Sequence, residues 1–191
     1  MNYTIVKAVA LSLCWLALFG TETEARPRRR SETDPRLVAG LRMHSEQKDF
    51  RKLPYENGDL SYMVAYEFHE QASFLQMAVG YAPSVSGTMQ SPEEEERDGR
   101  EEVDYVVTPQ ISLIWKDQAW RGGVGLLRSL VVGEDSREWT SLYWQLLLGL
   151  NLPVVGSGVD VTAYYVFDRW GNIPNFRGDN FDFGLSIGFA F

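Results

Sequence analysis

The chain contains 191 residues, 45% of them apolar and 13% aromatic, a composition that excludes a disordered chain and favours a single folded domain. After residue 25 no run of about 18 uncharged apolar residues occurs, so the sequence predicts no membrane-spanning helix there. The formal net charge of −8 argues against nucleic acid as a partner.

The first 25 residues have the three parts of a secretory signal peptide. One lysine lies in residues 1–7, the apolar stretch AVALSLCWLALFG occupies 8–20, and Thr23 and Ala25 offer the small residues of a cleavage site. Cys14 lies in this segment and is the one cysteine of the sequence, so we expect an exported mature chain without disulfides. Residues 26–36 (RPRRRSETDPR) predict a charged, flexible periplasmic leader, solvated rather than bound to lipid.

Eight segments of the remaining chain alternate large apolar side chains with small or polar ones. They cover residues 37–44, 60–69, 74–81, 103–116, 120–132, 142–152, 159–168 and 181–191. Alternation with period 2 is typical of a β-strand whose two faces meet different surroundings. The last segment is the most regular and carries six large residues on one face: Phe181, Phe183, Leu185, Ile187, Phe189 and Phe191.

The links between these segments alternate in length. Links 45–59, 82–102 and 169–180 are long and 133–141 is intermediate, whereas 70–73, 117–119 and 153–158 are short. This alternation is typical of outer-membrane barrels, which have tight periplasmic turns and longer outer loops. We therefore predict an all-β domain over residues 37–191, an eight-stranded antiparallel transmembrane up-and-down β-barrel with both termini on one side.

Side-chain size predicts which face of each strand lines the lumen. Side chains just fill the interior of an eight-stranded barrel, so small and polar residues fit inside and the rows of large residues face lipid. A cation on the lipid face also costs about 2–4 kcal/mol at the bilayer midplane. We expect a plugged lumen with a polar network formed by Arg42, Glu67, Gln110, Gln145, Asp160 and Asp182.

Residues near the strand ends indicate the membrane interfaces. We expect aromatic girdles, with Phe68, Trp115, Trp120 and Phe191 near the short turns and Tyr81, Tyr105, Trp139 and Trp170 near the long loops. Arg128 is the exception, because strict alternation from Trp120 points it toward lipid. Either a bulge near Leu127 turns Arg128 inward, which we favour, or Arg128 contacts a lipid headgroup phosphate.

The segment 37–191 resembles the small eight-stranded outer-membrane barrels of Gram-negative bacteria, the OmpA-like and OmpX-like family. The resemblance rests on the terminal strand that ends at Phe191, which is similar to the family's assembly signal, and on Thr108-Pro109-Gln110 within a strand. It implies a location in the outer membrane of the cell envelope, contact with outer-membrane lipid and lipopolysaccharide, and recognition of the last strand by the barrel-assembly machinery. Nothing in the sequence resembles the family's peptidoglycan-binding domain, so that role is not carried over.

Three functions remain open at this point. The first is a structural or surface-interaction role with an unknown extracellular partner, without enzymatic activity. The second is a lipid A-modifying enzyme, an acyltransferase or deacylase, for which only His44 lies near the outer rim, with Asp182 across the barrel closure; a structural hydrogen bond between them is the simpler interpretation. His69 lies at a short turn, away from lipid A. The third is a soluble lipocalin-like carrier.

The loop 91–102 (SPEEEERDGREE) is strongly acidic. It could bind divalent cations that bridge lipopolysaccharide, but a solvated loop is the simpler interpretation. The sequence shows no metal-ligand spacing, phosphate loop or reactive cysteine, so we predict no metal site and no cofactor.

Overall fold

The computed structural model of the chain describes residues 35–46, 53–70, 73–86, 88–89, 101–117, 119–134, 136–154, 157–170 and 181–190. The predicted signal peptide, most of the leader, the acidic stretch 91–100 and Phe191 lie outside these residues. Within the described ranges, no helix has the length and apolar character needed to cross a membrane.

The described chain is built from eleven β-strands. They are β1 (Arg36–Met43), β2 (Leu60–Glu70), β3 (Ser73–Ala82), β4 (Thr88–Met89), β5 (Glu101–Asp117), β6 (Trp120–Leu127), β7 (Leu130–Gly133), β8 (Arg137–Trp139), β9 (Tyr143–Val154), β10 (Ser157–Phe167) and β11 (Phe181–Ala190). All eight segments predicted from the alternation form strands. The first of them begins one residue early, at Arg36, which the sequence analysis assigns to the leader.

Antiparallel pairing closes these strands into a barrel of eight. Each barrel strand pairs with its neighbours in the chain, and β1 closes the barrel on β11, with Arg36 opposite Ala190 and Met43 opposite Phe183. β6 and β7 act as one barrel strand, because both pair with β5 in a single register through Leu127 and Leu130. The predicted fold class, an all-β, eight-stranded antiparallel closed barrel, is confirmed.

The two ends of the barrel differ. At one end, which we call the short-turn end, only two residues separate β2 from β3, β5 from β6, and β9 from β10. At the other, the long-loop end, β5 extends past its neighbours to pair with β4 and β7, and β8 pairs on the outside of β7. The register of β5 against β7 shifts between Val103 and Tyr105, so the bulge lies on β5.

Burial alternates along the barrel strands, as the sequence pattern predicts. Along β3, for example, every second residue from Phe74 to Ala82 is buried and the intervening residues are exposed. The described residues form four buried apolar clusters. Two of them lie among the barrel strands alone, one of Val38, Met63, Ala65 and Ala78 and one of Phe74, Ile114, Leu147 and Tyr164.

Four residues predicted to be exposed on the outer face are instead buried: Val103, Val132, Tyr165 and Phe167. Val103 lies at the bulge of β5, where the register against β7 shifts. Val132 lies between β5 and β8, which pair with it on both sides. Phe167 packs edge-on against Trp170 with ring centroids 5.0 Å apart, and Tyr165 packs against Phe181 at 5.4 Å. Aromatic neighbours near the long-loop end therefore cover positions that alternation alone would expose.

Candidate functional site

Two acids and two arginines form an ion-pair network inside the barrel near its short-turn end, the Glu67–Asp160 network. Arg36 Nη1 lies 3.5 Å from Glu67 Oε2 and 3.1 Å from Asp160 Oδ2. Arg121 Nη2 lies 3.0 Å from Glu67 Oε1, and Arg121 Nη1 lies 2.5 Å from Asp160 Oδ2. Each carboxylate bridges both guanidinium groups. Because Glu67 and Asp160 are fully buried, their charges depend on this pairing.

Neutral amides complete the network. Gln76 Nε2 donates to Glu67 Oε1 at 2.8 Å, and Asn151 Nδ2 donates to Asp160 Oδ1. Asp160 Oδ2 is buried and accepts no well-aligned hydrogen bond. The two guanidinium charges beside that oxygen hold it by ion pairing instead.

Glycines make the room that Arg36 occupies. Arg36 Nη2 donates to the carbonyl oxygen of Gly158 at 3.0 Å. A Cβ atom added at Gly188 would lie 1.7 Å from Arg36 Nε, and one at Gly158 would lie 2.9 Å from Arg36 Nη2. Real Cβ atoms do not approach so closely. The Arg36 side chain can therefore adopt this position only because residues 158 on β10 and 188 on β11 are glycines.

Gln145 links the middle of the lumen to the long-loop end. Its Nε2 donates to Gln110 Oε1 at 3.0 Å and to Ser112 Oγ at 3.2 Å, and its Oε1 accepts from Arg42 Nη1 at 3.2 Å. Gln145 is fully buried. With donors and acceptors both used, the amide satisfies the rule that buried polar groups are hydrogen-bonded.

Asp182 is the centre of the second ionic cluster, the Asp182 network. Its Oδ2 accepts from Arg42 Nε at 2.9 Å and lies 2.8 Å from Arg42 Nη2. The same oxygen lies 2.9 Å from His44 Nδ1, and Oδ1 accepts from the backbone N–H of Ser45 at 2.9 Å. The structural hydrogen bond between His44 and Asp182 that the sequence analysis favours is therefore present.

His44 connects Asp182 to a serine that the sequence analysis does not consider. His44 Nε2 lies 2.9 Å from Ser61 Oγ. Burial lowers the pKa of His44, an effect that the nearby Asp182 carboxylate opposes. The neutral imidazole donates from Nδ1 to the carboxylate, so Nε2 accepts from Ser61.

The order serine, histidine, aspartate is that of a nucleophilic triad, but the surroundings are those of a packed lumen. Ser61 is 4% exposed. The cavity lined by Arg42, His44 and Asp182 has a volume of about 20 Å³, which is room for one water. The arrangement therefore serves as a hydrogen-bond network in the described structure.

Residues 53–59 cover the lumen at the long-loop end. The Tyr55 ring stacks on His44 with centroids 3.7 Å apart and planes 3° apart, and its hydroxyl lies 3.0 Å from Thr108 Oγ1. Asp59 accepts from the backbone N–H of Glu56 and from Ser86, which fixes this segment against the end of β3. Tyr55 is 8% exposed. A loop residue thus seals the Asp182 network from above.

The structure places all six residues predicted for the polar network inside the barrel. They divide between the two networks, with Gln110 and Gln145 between them. The ionic groups balance, because Arg36, Arg42 and Arg121 face Glu67, Asp160 and Asp182. The predicted network did not include several participants, which are Arg36, Ser45, Tyr55, Ser61, Ser112, Arg121 and Asn151. Arg121 and Ser61 lie on the polar face of their segments and could have been found by applying the same alternation.

The terminal strand presents its large side chains outward. Phe183, Leu185, Ile187 and Phe189 are between 38% and 53% exposed, whereas the intervening Gly184, Ser186 and Gly188 are buried. Phe181 is half-buried against Tyr165. Phe191, the last residue of the predicted assembly signal, lies outside the described residues.

Arg128 faces outward. The prediction of a bulge near Leu127 that turns Arg128 inward is wrong. The register of β5 against β6 and β7 is continuous across Arg128, so the alternation is not interrupted. Arg128 is exposed. Its Nε donates to the carbonyl oxygen of Thr140 at 2.8 Å, and its guanidinium carbon lies 5.3 Å from the centroid of the Trp139 ring.

Aromatic side chains lie at both ends of the outer wall. Phe68, Trp115 and Trp120 are exposed near the short-turn end, and Tyr81, Trp139 and Trp170 are exposed near the long-loop end. At the latter, Tyr81 lies 5.9 Å from Tyr105 and Trp144 lies 5.1 Å from Trp170, measured between ring centroids.

The part of the chain that the structure describes contains no group of three or more histidine, cysteine, aspartate or glutamate side chains that could hold a metal ion. The acidic residues 91–100 and the His69 side chain are not among those described.

Comparison with known proteins finds distant likenesses among solved structures. No protein-family model and no curated protein matches the chain. Among solved structures the chain is similar to Neisserial surface protein A, with 11% sequence identity over 82% of this chain and 96% of that chain, and a TM-score of 0.45. We draw nothing about function from a likeness this distant, and the resemblance to the OmpA-like family stays an interpretation of the sequence.

Proposed function

We propose that this protein is an integral outer-membrane β-barrel with a structural or surface-interaction role and no enzymatic activity. The observation that carries the proposal is that the barrel has a polar interior and an apolar outer wall, the reverse of a water-soluble barrel. Glu67, Gln145 and Asp160 are fully buried in the lumen, whereas Val64, Met77 and Leu148 on the outer wall are more than half exposed. A water-soluble barrel would place these residues the other way round.

Hydrocarbon is the environment that fits this outer wall. Exposed apolar side chains run along most of the barrel strands, among them Leu37, Leu41, Tyr62, Leu75, Val79, Ile111, Leu113, Leu185 and Phe189. Each Å² of apolar surface that lipid removes from water contributes about 25 cal/mol. Soluble monomers rarely expose apolar patches larger than about 600 Å². Lipid around the wall removes this unfavourable exposure.

Strand length supports a membrane-spanning barrel. β3 and β11 each contain 10 residues. At about 3.4 Å per residue and a tilt of 35–45°, such a strand rises about 24–28 Å along the barrel axis. The apolar band of outer-membrane barrels is about 25 Å tall. Exposed tryptophans at both strand ends fit the two interfaces.

The filled lumen supports a structural or surface role rather than transport. The two ionic networks have no net charge when His44 is neutral, and Tyr55 seals the long-loop end. The strands that extend there, β4, β5, β7 and β8, offer the surface on which an extracellular partner would bind.

A lipid A-modifying enzyme is the second candidate, and the alignment of Ser61, His44 and Asp182 is the observation in its favour. Against it, the adjacent cavity has room for no more than about one water, and Asp182 is already ion-paired to Arg42. A fluorophosphonate probe tests this directly. We expect no labelling of the folded barrel, and covalent labelling at Ser61 that is lost in His44→Gln would establish the enzyme instead.

Fractionation and gel mobility test the proposed function. The protein should stay in the membrane fraction after an alkaline wash, and should migrate faster on a gel unheated than boiled, because a closed barrel has no free edge from which to unfold. Recovery in the soluble fraction, with equal mobility before and after boiling, would sink the membrane proposal.

A further inference from the structure

We propose that Arg128 and Trp139 form a binding site for the phosphate group of a lipid headgroup at the interface nearest the long loops. This inference rests on the proposed function, because it requires lipid around the outer wall. Arg128 lies between β6 and β7, which share one register against β5. Among the described residues of the eight barrel strands and this link, it is the one cation that the alternation points toward lipid.

The guanidinium group of Arg128 is fixed in place by its neighbours. Its Nε is occupied by the carbonyl oxygen of Thr140 at 2.8 Å. Thr140 is itself held, since its N–H donates to the oxygen of Ser129 at 2.8 Å and its Oγ1 accepts from the N–H of Ser129 at 2.9 Å. The Trp139 ring lies under the guanidinium at 5.3 Å. The arginine is therefore oriented before any ligand binds.

The terminal nitrogens of Arg128 remain available for a ligand. No acidic side chain among the described residues pairs with Arg128, in contrast to the three arginines of the lumen, each of which contacts a carboxylate. A guanidinium with two N–H groups on one edge matches the geometry of a phosphate and binds it bidentately.

The height of Arg128 on the wall places it where headgroup phosphates lie. Arg128 follows Trp120, the first residue of β6, by eight residues, which corresponds to a rise of about 19–22 Å at the usual tilt of outer-membrane strands. The Arg128 side chain extends from there toward Trp139. Trp139 pairs with Leu130, which lies two residues after Arg128 in the chain and therefore higher on the wall. The guanidinium thus lies about 24–28 Å above Trp120, at the edge of an apolar band about 25 Å tall.

A lipid phosphate fits this position better than a free phosphate ion. Trp139 is 45% exposed on the outer wall, within the aromatic belt, so a ligand there is in contact with the bilayer. A free anion would have to leave water to reach the same place, whereas the headgroup of a lipid already lies at this depth.

Native mass spectrometry of the detergent-solubilised barrel tests the site. Phosphatidic acid and phosphatidylcholine with the same acyl chains are added to the wild-type protein, to Arg128→Gln and to Arg137→Gln, whose arginine is also exposed but lies on β8. Heat-modifiable gel mobility of each variant is measured first and confirms that the barrel has formed. Inorganic phosphate is added as a competitor in a parallel series.

We expect wild type to retain phosphatidic acid at least about five times more strongly than phosphatidylcholine, with this preference lost in Arg128→Gln and kept in Arg137→Gln. Equal losses in both variants, or no preference in wild type, would overturn the site while leaving the barrel proposal intact. Displacement of the lipid by equimolar inorganic phosphate would show a site for the free ion and would overturn the lipid assignment. A protein that fails the gel test would count against the proposed function itself.

Discussion

Replacing Glu67 by glutamine should destabilise the barrel strongly, because it removes one charge from a balanced buried network. Glu67 is fully buried, with Arg121 Nη2 at 3.0 Å and Arg36 Nη1 at 3.5 Å. The substitution keeps the shape of the side chain but leaves two guanidinium groups facing Asp160 alone. Removing one partner of a buried ion pair typically costs about 3–5 kcal/mol, and we expect a loss in the free energy of unfolding of this size.

The double variant Glu67→Gln/Arg121→Met measures the coupling. It restores the charge balance, because Arg36 and Asp160 remain paired at 3.1 Å. We therefore expect the double variant to be less destabilised than the sum of the two single variants, by at least about 1 kcal/mol, as for residues within one network. Asp117→Asn, at an exposed carboxylate next to the short turn, is the matched control and should change stability by less than about 0.5 kcal/mol.

Urea unfolding of the lipid-reconstituted barrel, followed by tryptophan fluorescence, gives these free energies. A cost for Glu67→Gln as small as that for Asp117→Asn would show that water screens the lumen charges. Strictly additive single variants would show that Glu67 and Arg121 act independently, and either result would refute the network as described.

Two further perturbations test the packing and the titration of the lumen. Gly188→Ala should lower the free energy of unfolding by more than about 1 kcal/mol in the same urea assay, because its Cβ would lie 1.7 Å from Arg36 Nε. Gly122→Ala is the control, since the atom nearest to its added Cβ is at an ordinary 3.6 Å. Equal losses in the two variants would contradict the role of Gly188. Because burial holds the pKa of His44 below 6.5 in the folded state, the unfolded chain binds a proton first as the pH falls, so stability should be highest above pH 6.5 and should decline below it. His44→Gln should remove this part of the pH dependence, and an unchanged pH profile in the variant would show that other groups cause it.

The barrel could be predicted from the sequence because the alternation of apolar and polar side chains that defines each strand is visible within a single short segment. Alternation along single segments such as 74–81 shows which residues face the same way, and the lengths of the links then predict antiparallel neighbours. Closure of β1 on β11 follows from the strand count. Asp160 and Asp182 could be assigned to the lumen because no other location tolerates their charge.

The partners of these residues could not be predicted in the same way. That Glu67 meets Arg121 depends on the register and tilt of strands distant in the chain, which no local pattern encodes. Tyr55 comes from a loop without alternation, and it enters the lumen because Asp59 and Ser86 hold that loop in place. The sequence favours an inward orientation for Arg128, because a cation that faces lipid is costly, but Thr140 and Trp139 hold its side chain on the outer face instead.

Site-directed spin labelling at four consecutive positions of β5 tests the central claim that the outer wall contacts lipid. Ile111 and Leu113 are 41% and 42% exposed, whereas Ser112 and Ile114 are 2% and 0% exposed. In the reconstituted protein, labels at 111 and 113 should be accessible to oxygen, which concentrates in lipid, and protected from a water-soluble nickel reagent, while labels at 112 and 114 should be protected from both. Accessibility of positions 111 and 113 to the nickel reagent would contradict the claim, because it would place the apolar wall in water.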